Sequence, residues 1–234
     1  MEYLPQGFTL ETAEGSFPLS TDSMILAHFA KLPKNAHVLD LGSGCGTLGL
    51  LLCAKDTGCT VTGIELSETA HRCAEDNIRR NALDARLKSI CADLRQVPER
   101  FAPGSFSCCI SNPPYFSGGP SSRTLTTARR EDSCTLKELI TSAAWALKYG
   151  GDFFLVHRPE RLADIIARAA EAGLEAKRLL LVRHRPESDI SIIALQLRKG
   201  GKPGLQLSEA CLFDASGKAT NYYNDVYHIP YEEA

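Results

Sequence analysis

The sequence has no excess of charge of either sign and no long apolar run. Its 26 lysine and arginine residues against 28 aspartate and glutamate residues give a formal net charge of −2, which excludes a protein that acts through bulk positive charge alone. No stretch of roughly 18 uninterrupted apolar residues is present, and the N-terminus lacks the basic-then-apolar order of a secretory signal. We therefore expect a soluble, cytoplasmic protein that does not enter a membrane.

Paired cysteines and metal-ligand spacings are also lacking. The nine cysteines include no CxxC pair, and their odd number favours free thiols in a reducing compartment. None of the six histidines has a metal-ligand spacing to a cysteine. We expect no metal site. The oligomeric state stays open, with a monomer favoured.

From residue 36 onward, short apolar runs alternate with helical patterns, which is typical of βαβ units and a mostly parallel sheet. The predicted fold is a doubly wound α/β core at 36–200, with an N-terminal addition at 1–35 and a C-terminal extension at 201–234. The seven predicted strands of the core are His37–Leu41, Thr60–Glu65, Arg86–Cys91, Phe106–Ser111, Asp152–His157, Glu175–Arg183 and Ser191–Arg198.

Helix signals lie between and beside these strands. Ser67 is positioned to cap a helix that ends near Asn81, and Thr135-x-x-Glu138 is a capping-box pattern. The N-terminal addition is predicted to be a hairpin around Glu14-Gly15, in which Phe8 and Leu10 face Phe17 and Leu19, followed by a helix over Thr21–Ala30. In the C-terminal extension, LQLSEACLF allows one more strand.

A glycine-rich turn follows the first strand of the core. In VLDLGSGCGTLG, Gly42, Gly44, Gly46 and Gly49 lead directly into a helical pattern. Glycine permits a positive φ and close approach of a ligand to the backbone there. The spacing fits a dinucleotide fingerprint as well as a methyltransferase one, and a tight turn without a ligand is a third interpretation.

Three acidic residues lie where strands of the core end. Asp40 precedes the glycine turn, Glu65 ends the second strand and Asp93 follows the third. A buried Asp40 needs a partner such as backbone N–H groups or a cation. Glu65 is placed to accept from a ribose diol and Asp93 from an adenine amino group. Each alone is also consistent with a solvated strand-end carboxylate, but together they outline a nucleoside pocket.

The motif Asn112-Pro113-Pro114-Tyr115 follows the fourth strand. Two prolines stiffen the turn and remove two N–H donors, so its carbonyls are fixed acceptors. The Asn112 side-chain carbonyl and the Pro113 main-chain carbonyl can hold both hydrogens of a planar amino group, and Tyr115 can stack on a planar target. A sulfonium methyl group opposite that nitrogen would allow transfer by positioning and desolvation, without a strong base.

The chain from Val38 to about Arg198 resembles the class I S-adenosylmethionine-dependent methyltransferases of the N6-adenine branch. The motifs that carry this resemblance are DLGSGCG, GIEL, CADL and SNPPYF. More narrowly, LSTDSMILAHFA, ARRED, LVHRPERL and KGGKPGL resemble the bacterial tRNA(Val) adenine-N6 methyltransferases. The resemblance implies a seven-stranded sheet with an antiparallel last strand, S-adenosylmethionine as cofactor, and an adenine in the anticodon loop of a tRNA as substrate.

The resemblance also implies roles for matching positions. Asp40, Gly42, Gly44 and Gly46 would line the methionine part of the cofactor, Glu65 its ribose and Asp93 its adenine. Thr21 and Asp22 would close over it. The residues implied to hold the target amine are Asn112, Pro113, Pro114 and Tyr115.

The charge distribution fits an RNA substrate in part. Net positive charge lies between residues 121 and 204, where arginines after strand ends can flank the mouth of the site; ordinary solvated charge explains the same distribution. The residues concerned are Arg123, Arg129, Arg130, Arg158, Arg161, Arg183, Arg185, Lys199 and Lys202.

Several alternatives remain. Protein-glutamine N5 methyltransferases also use Asn-Pro-Pro-Tyr but carry a helical domain larger than the 35 residues in front of this core. A DNA adenine methylase, a non-catalytic RNA- or cofactor-binding protein and a nicotinamide-dependent dehydrogenase are the others. The dehydrogenase would leave Asp40 and the Asn112 turn unexplained.

Overall fold

An eight-stranded mixed sheet forms the centre of the computed structural model, which describes residues 1–4, 7–16, 18–113 and 134–229. The strand order is β10-β8-β9-β7-β6-β3-β4-β5, and within it only β9 runs antiparallel to its neighbours. A separate pair, β1 (Glu2–Tyr3) and β2 (Thr9–Leu10), is antiparallel. The large sheet consists of β3 (His37–Leu41), β4 (Thr60–Glu65), β5 (Leu87–Cys91), β6 (Phe106–Ser111), β7 (Leu147–His157), β8 (Leu174–Arg183), β9 (Ile190–Lys199) and β10 (Gln206–Cys211).

Helices cover both faces of the sheet, so the chain forms three layers with a buried apolar cluster on each side. One face is covered by α1 (Thr21–Phe29), α2 (Thr47–Lys55), α3 (Glu68–Arg80) and α7 (Asn221–Tyr227). The other is covered by α4 (Val97–Arg100), α5 (Leu136–Ala146) and α6 (Leu162–Glu171). In the described ranges, no helix is both long and apolar enough to cross a membrane.

Local signals read from the sequence account for the starts of α3 and α5. Ser67 accepts the N–H of Ala70 at the start of α3, and Thr135 and Glu138 form the predicted capping box at the start of α5. All seven predicted strands of the core are present, and the sheet has β10 as an eighth strand. The expected antiparallel strand is β9, which lies inside the sheet because β8 and β10 continue beyond it.

The predicted hairpin around Glu14-Gly15 is wrong. A turn exists there, since the Ser16 N–H donates to the Ala13 carbonyl at 3.0 Å, but β2 pairs with the preceding β1 instead. Side chains at the C-terminal end of α3, rather than a second strand, pair with β2 and with the residue that follows it. Phe17 lies outside the described residues.

Asn77 of α3 and Asn81, its C-cap residue, provide that pairing. Asn81 accepts the N–H of Thr9 at 2.8 Å and donates to its carbonyl at 2.8 Å. Asn77 does the same for Glu11, at 2.9 and 2.8 Å, and also donates to the Cys45 carbonyl at 3.0 Å. Asn77 is fully buried. It therefore joins the N-terminal segment to the glycine-rich turn.

Helix α1 is held at both ends. The Lys55 Nζ donates to the carbonyls of Ala27, His28 and Ala30 at 2.7–2.9 Å, which satisfies acceptors that the end of α1 leaves unpaired. At the other end, the Thr21 and Tyr227 hydroxyls lie 2.9 Å apart. The aromatic C-terminal segment thus packs on α1 through α7.

The chain order reverses between β3 and β6. Strand β3 continues through α2 to β4 on one side, whereas β6 lies on the other side. In open α/β sheets, this switch point leaves a crevice at the carboxyl ends of the strands. The glycine turn after β3 and the Asn112 turn after β6 both open into it.

Candidate active site

A cleft of about 570 Å³ lies at this switch point. Its walls come from the N-terminal segment, the start of α1, the turn after β3, the ends of β4 and β5, and the turn after β6. Of the predicted site residues, those that line it are Asp22, Gly42, Gly44, Glu65, Asp93, Asn112 and Pro113. Thr21, Asp40 and Gly46 are not among the lining residues. Pro114 and Tyr115 lie outside the described residues.

The glycine turn exposes its backbone to the cleft. Gly42 and Gly44 have φ values of 75° and 55°, and a Cβ on either would meet nothing within 4 Å. A ligand can therefore approach this backbone closely. Gly46, with φ 85°, is the N-cap of α2 and faces Ala74 of α3 instead.

Close packing ties this turn to β4. The amides of Gly42 and Ser43 both donate to the Ile64 carbonyl, at 2.9 and 3.0 Å. A Cβ at Gly63 would lie 2.5 Å from the Ser43 hydroxyl oxygen, so only glycine fits at that position of β4. The position of the turn is thus set by its neighbouring strand.

Glu65 connects the glycine turn to the start of α3. One carboxylate oxygen accepts the N–H of Gly44 at 2.8 Å, and the other accepts the N–H of Ser67 at 2.7 Å. Each carboxylate oxygen has two lone pairs, so acceptor capacity remains towards the cleft. This arrangement is consistent with the predicted ribose contact.

Asp40 is buried beneath the turn, with 1% of its surface exposed. Neither carboxyl oxygen has a hydrogen-bond partner among the described residues. Burial, with a smaller contribution from the charge of Glu65, raises the pKa of Asp40 to about 8. A cation or donor close to this group would satisfy oxygens that the protein leaves unpaired.

Asp93 is already paired inside the protein. Both carboxylate oxygens accept from the Arg95 guanidinium, and one also accepts the Arg95 N–H at 2.9 Å. Hydrogen bonding from Arg95 lowers the pKa of Asp93. A base that binds to this carboxylate must share it with Arg95.

Asn112 follows β6, whose last residue is tied to β3 because the Ser111 hydroxyl donates to the Leu41 carbonyl at 2.7 Å. The Asn112 side-chain Nδ2 donates to the hydroxyl of Ser23 at 3.0 Å and lies 3.5 Å from that of Ser20. Ser20 is the N-cap of α1. The first turn of α1 therefore contacts the amide that was predicted to hold the substrate.

Thr21 and Asp22 also belong to the first turn of α1, but only Asp22 lines the cleft. Burial raises the pKa of Asp22, while Arg158 opposes the shift. The Thr21 hydroxyl instead contacts Tyr227. Ser20 and Ser23 were not predicted as site residues. Ser20 precedes the predicted helix as a capping residue, but no local pattern indicates its contact with Asn112.

The basic residues divide between two edges of the sheet. Arg158 and Arg161 follow β7, whereas Arg183 ends β8 and Arg185 follows it; all four lie at the edge that contains the cleft. The expectation that Lys199 and Lys202 belong with them is wrong. Because β9 runs antiparallel, both lie at the opposite edge, where the Lys199 Nζ donates to the carbonyl of Leu147 at the start of β7. Arg123, Arg129 and Arg130 lie outside the described residues.

A doubly wound sheet with a glycine-lined cleft at its switch point and an Asn-Pro turn beside it is an arrangement suited to group transfer from a nucleoside cofactor. Residues 19–169 match the family described as the methyltransferase small domain. The chain belongs to this family and is a methyltransferase.

Individual relatives agree with that membership. The chain is 28% identical over 204 residues to the tRNA1(Val) (adenine(37)-N6)-methyltransferase of Photobacterium profundum, covering 86% of this chain and 85% of that protein. It is 29% identical over 182 residues to the enzyme of the same name from Bacteroides fragilis, covering 76% of each.

The fold has a close counterpart among solved structures. The crystal structure of a predicted O-methyltransferase from Agrobacterium tumefaciens aligns with a TM-score of 0.75 at 23% identity. The alignment covers 89% of this chain and 96% of that one. This likeness concerns the fold alone.

Proposed function

We propose that the chain transfers a methyl group from S-adenosylmethionine to the exocyclic N6 amine of an adenine in the anticodon loop of a tRNA. The observation that carries the proposal is that the glycine turn and the Asn112-Pro113 turn open into one cleft. One turn exposes backbone for a cofactor and the other presents acceptors for an amine. The names of the relatives from Photobacterium and Bacteroides support adenine 37 as the target.

The residues present fit this cofactor. Gly42 and Gly44 face open space in the cleft, Glu65 retains acceptor capacity, and the buried oxygens of Asp40 have no partner in the part of the chain that the structure describes. S-adenosylmethionine, when bound, supplies a methyl group on a sulfonium, which is both the electrophile and a positive charge. Asp40 lies on the strand below the turn, where a cation bound nearby would lower the pKa of its carboxyl and favour the ionised form.

The chain's own residues would activate the amine by position. Asn112 Oδ1 and the Pro113 carbonyl accept the two amine hydrogens and draw the nitrogen out of conjugation with the ring. The nitrogen lone pair would form the new bond to the methyl carbon, and the electrons of the broken carbon–sulfur bond would stay on sulfur. The extra proton on nitrogen then leaves to solvent. No strong base is needed, because the amine becomes acidic only after transfer.

Arginines near the cleft would contact the RNA. Arg158 follows β7, next to β6, which ends just before Asn112. Arg161 and Arg183 are partly neutralised by Asp164 and Glu209, and Arg158 interacts with the carboxyl of Asp22, so we expect Arg185 to contribute more to phosphate binding. A base in a loop is extruded at lower cost than one inside a duplex, which favours an anticodon loop as substrate.

The test is incubation of the full chain with labelled S-adenosylmethionine and an unmodified tRNA(Val), followed by nucleoside mass spectrometry. We expect N6-methyladenosine, and loss of product when adenine 37 of the RNA is replaced by guanine. Asn112→Ala should abolish product while cofactor affinity changes by less than about twofold, and the exposed Asn221→Ala should behave as the unchanged protein. Methylation of a release factor but not of tRNA would establish the N5-glutamine alternative instead.

A further inference from the structure

The side-chain amide of Asn112 is hydrogen-bonded to the first turn of α1. Its Nδ2 donates to the Ser23 Oγ at 3.0 Å, across 89 positions of sequence. Ser23 is only 6% exposed, so water competes little for this hydrogen bond. The contact links the turn after β6 to a helix from a different part of the chain.

The hydroxyl of Ser23, which accepts this hydrogen bond, is itself positioned by Ser20. Ser20 accepts the N–H of Ser23 at 3.2 Å, and its hydroxyl donates to the Ser23 hydroxyl oxygen at 3.2 Å. The Ser23 oxygen therefore accepts from two donors, Ser20 and Asn112. Because the Ser20 O–H is used in the bond to Ser23, the Ser20 oxygen can only accept from the end of the Asn112 amide that lies 3.5 Å away. The two hydroxyls together therefore favour the NH₂ group at this position over the carbonyl oxygen.

This direction matters for the chemistry of an amide. Rotation by 180° about the last bond of an asparagine side chain exchanges its oxygen for its NH₂ group, and the two ends have similar size. In one orientation the side chain presents an acceptor to a substrate amine; in the other it presents donors, which repel the amine hydrogens. Only a hydrogen-bonding partner that accepts from NH₂ but does not donate to oxygen selects one of these two orientations.

We propose that Ser23, oriented by Ser20, is a positioning residue that locks the Asn112 amide with its carbonyl oxygen towards the cleft. The proposal rests on the function proposed above, because it assumes that Asn112 accepts from the target amine. The anchors of α1 at Lys55 and Tyr227 make its first turn a fixed support for this contact. Ser23 acts through Asn112 and does not itself touch the reacting atoms.

The kinetic test compares Ser23→Ala with Ser23→Thr, using Ser142→Ala as a matched control. Ser142 is a buried helical serine on α5 whose hydroxyl donates to the Leu94 carbonyl at 3.0 Å. We expect Ser23→Ala to lower kcat on unmodified tRNA by about tenfold, the usual scale for one lost hydrogen bond, with the Kd for S-adenosylmethionine within about twofold. Ser23→Thr should retain most of kcat. Ser142→Ala should lower Tm without changing kcat.

A second readout does not depend on activity. In ¹⁵N-labelled full-length protein, the side-chain NH₂ signals of Asn112, assigned by their loss in Asn112→Asp, should move and broaden in Ser23→Ala and stay near their original position in Ser23→Thr. Unchanged Asn112 signals in Ser23→Ala would overturn the inference, as would an undiminished kcat or an equal loss in the alanine and threonine variants. If the unchanged protein makes no N6-methyladenosine, the proposed function fails, while these signals still decide whether Ser23 orients the amide.

Discussion

Glu65 accepts the backbone N–H of Gly44 at 2.8 Å, which joins the end of β4 to the turn that exposes its backbone to the cleft. The same carboxylate accepts the Ser67 N–H. One side chain therefore organises two segments of the candidate cofactor site, in addition to any contact with a ribose.

Replacing Glu65 with glutamine should weaken cofactor binding. The amide would turn its NH₂ towards either Gly44 or Ser67, so that two donors face each other. We expect the Kd for S-adenosylmethionine, measured by calorimetry, to rise at least about tenfold. Glu68→Gln, on an exposed glutamate of the adjacent helix that pairs with Arg72, is the control and should leave the Kd unchanged. Equal affinity for the two variants would refute the role of Glu65.

Asp40 should make the stability of the unliganded protein depend on pH. Its pKa is about 8 in the folded chain against 3.8 when exposed, so the carboxyl stays protonated on folding while the unfolded chain releases the proton. The stability of the folded chain is therefore highest, as far as Asp40 is concerned, below pH 4, and it decreases as the pH rises towards 8. Between these limits the free energy of unfolding falls by up to about 1.4 kcal/mol per pH unit.

Urea denaturation at pH 5.5, 6.5 and 7.5 measures this slope. In Asp40→Asn the fall in unfolding free energy with pH should be shallower than in the unchanged protein. Asp84→Asn, on an exposed aspartate, should keep the original slope. Parallel slopes for all three proteins would show that Asp40 is ionised in the folded state.

Lys55 should stabilise the chain by capping the end of α1. Lys55→Met keeps the length of the side chain but removes the donor to three carbonyl oxygens. We expect the free energy of unfolding to fall by about 1 kcal/mol, since the carbonyls regain water only in part. Chemical denaturation measures the change. Lys31→Met, on an exposed lysine, should have little effect, and a loss as large there would contradict the assignment to capping.

Asn77 should affect both stability and the cofactor site, whereas Asn81 should affect mainly stability. Asn77→Ala leaves the N–H of Glu11 and the carbonyl of Cys45 without their partner and removes one of the two donors to the Glu11 carbonyl. We expect a loss of about 2–3 kcal/mol in the free energy of unfolding. Because Cys45 belongs to the glycine turn, cofactor affinity should fall as well. Asn81→Ala removes only the contacts of Thr9 and of its own helix. Equal cofactor affinity in the two variants would argue against coupling through Cys45.

The sequence predicts those parts of the fold that depend on local chemistry. Ser67 and the Thr135-Glu138 pair carry their own capping signals, and the apolar runs that form the strands of the core are bounded by turn residues. The glycine turn and the Asn112 turn could be placed at one edge because the carboxyl ends of parallel strands share it.

What the sequence does not predict depends on long-range pairing. Asn77 and Asn81 substitute for a strand partner of the N-terminal segment, which hydrophobic alternation alone cannot show. Composition alone places Lys199 with the other basic residues that follow strands, whereas the antiparallel direction of β9, which the resemblance implies, puts it at the opposite edge. The contact of Ser23 with Asn112 joins segments that no local spacing relates.

Because α7 packs against α1, we expect the enzyme to complete its folding only after α7 has been synthesised. The hydroxyl of Tyr227 lies 2.9 Å from that of Thr21, although 206 positions of sequence separate the two residues, so Tyr227 is synthesised long after Thr21. A nascent polypeptide that has emerged only as far as β10 contains every strand of the sheet, yet α1 is still uncovered on the side where α7 will dock. Full methylating capacity should therefore arise late, after residues 221–227 have left the exit tunnel.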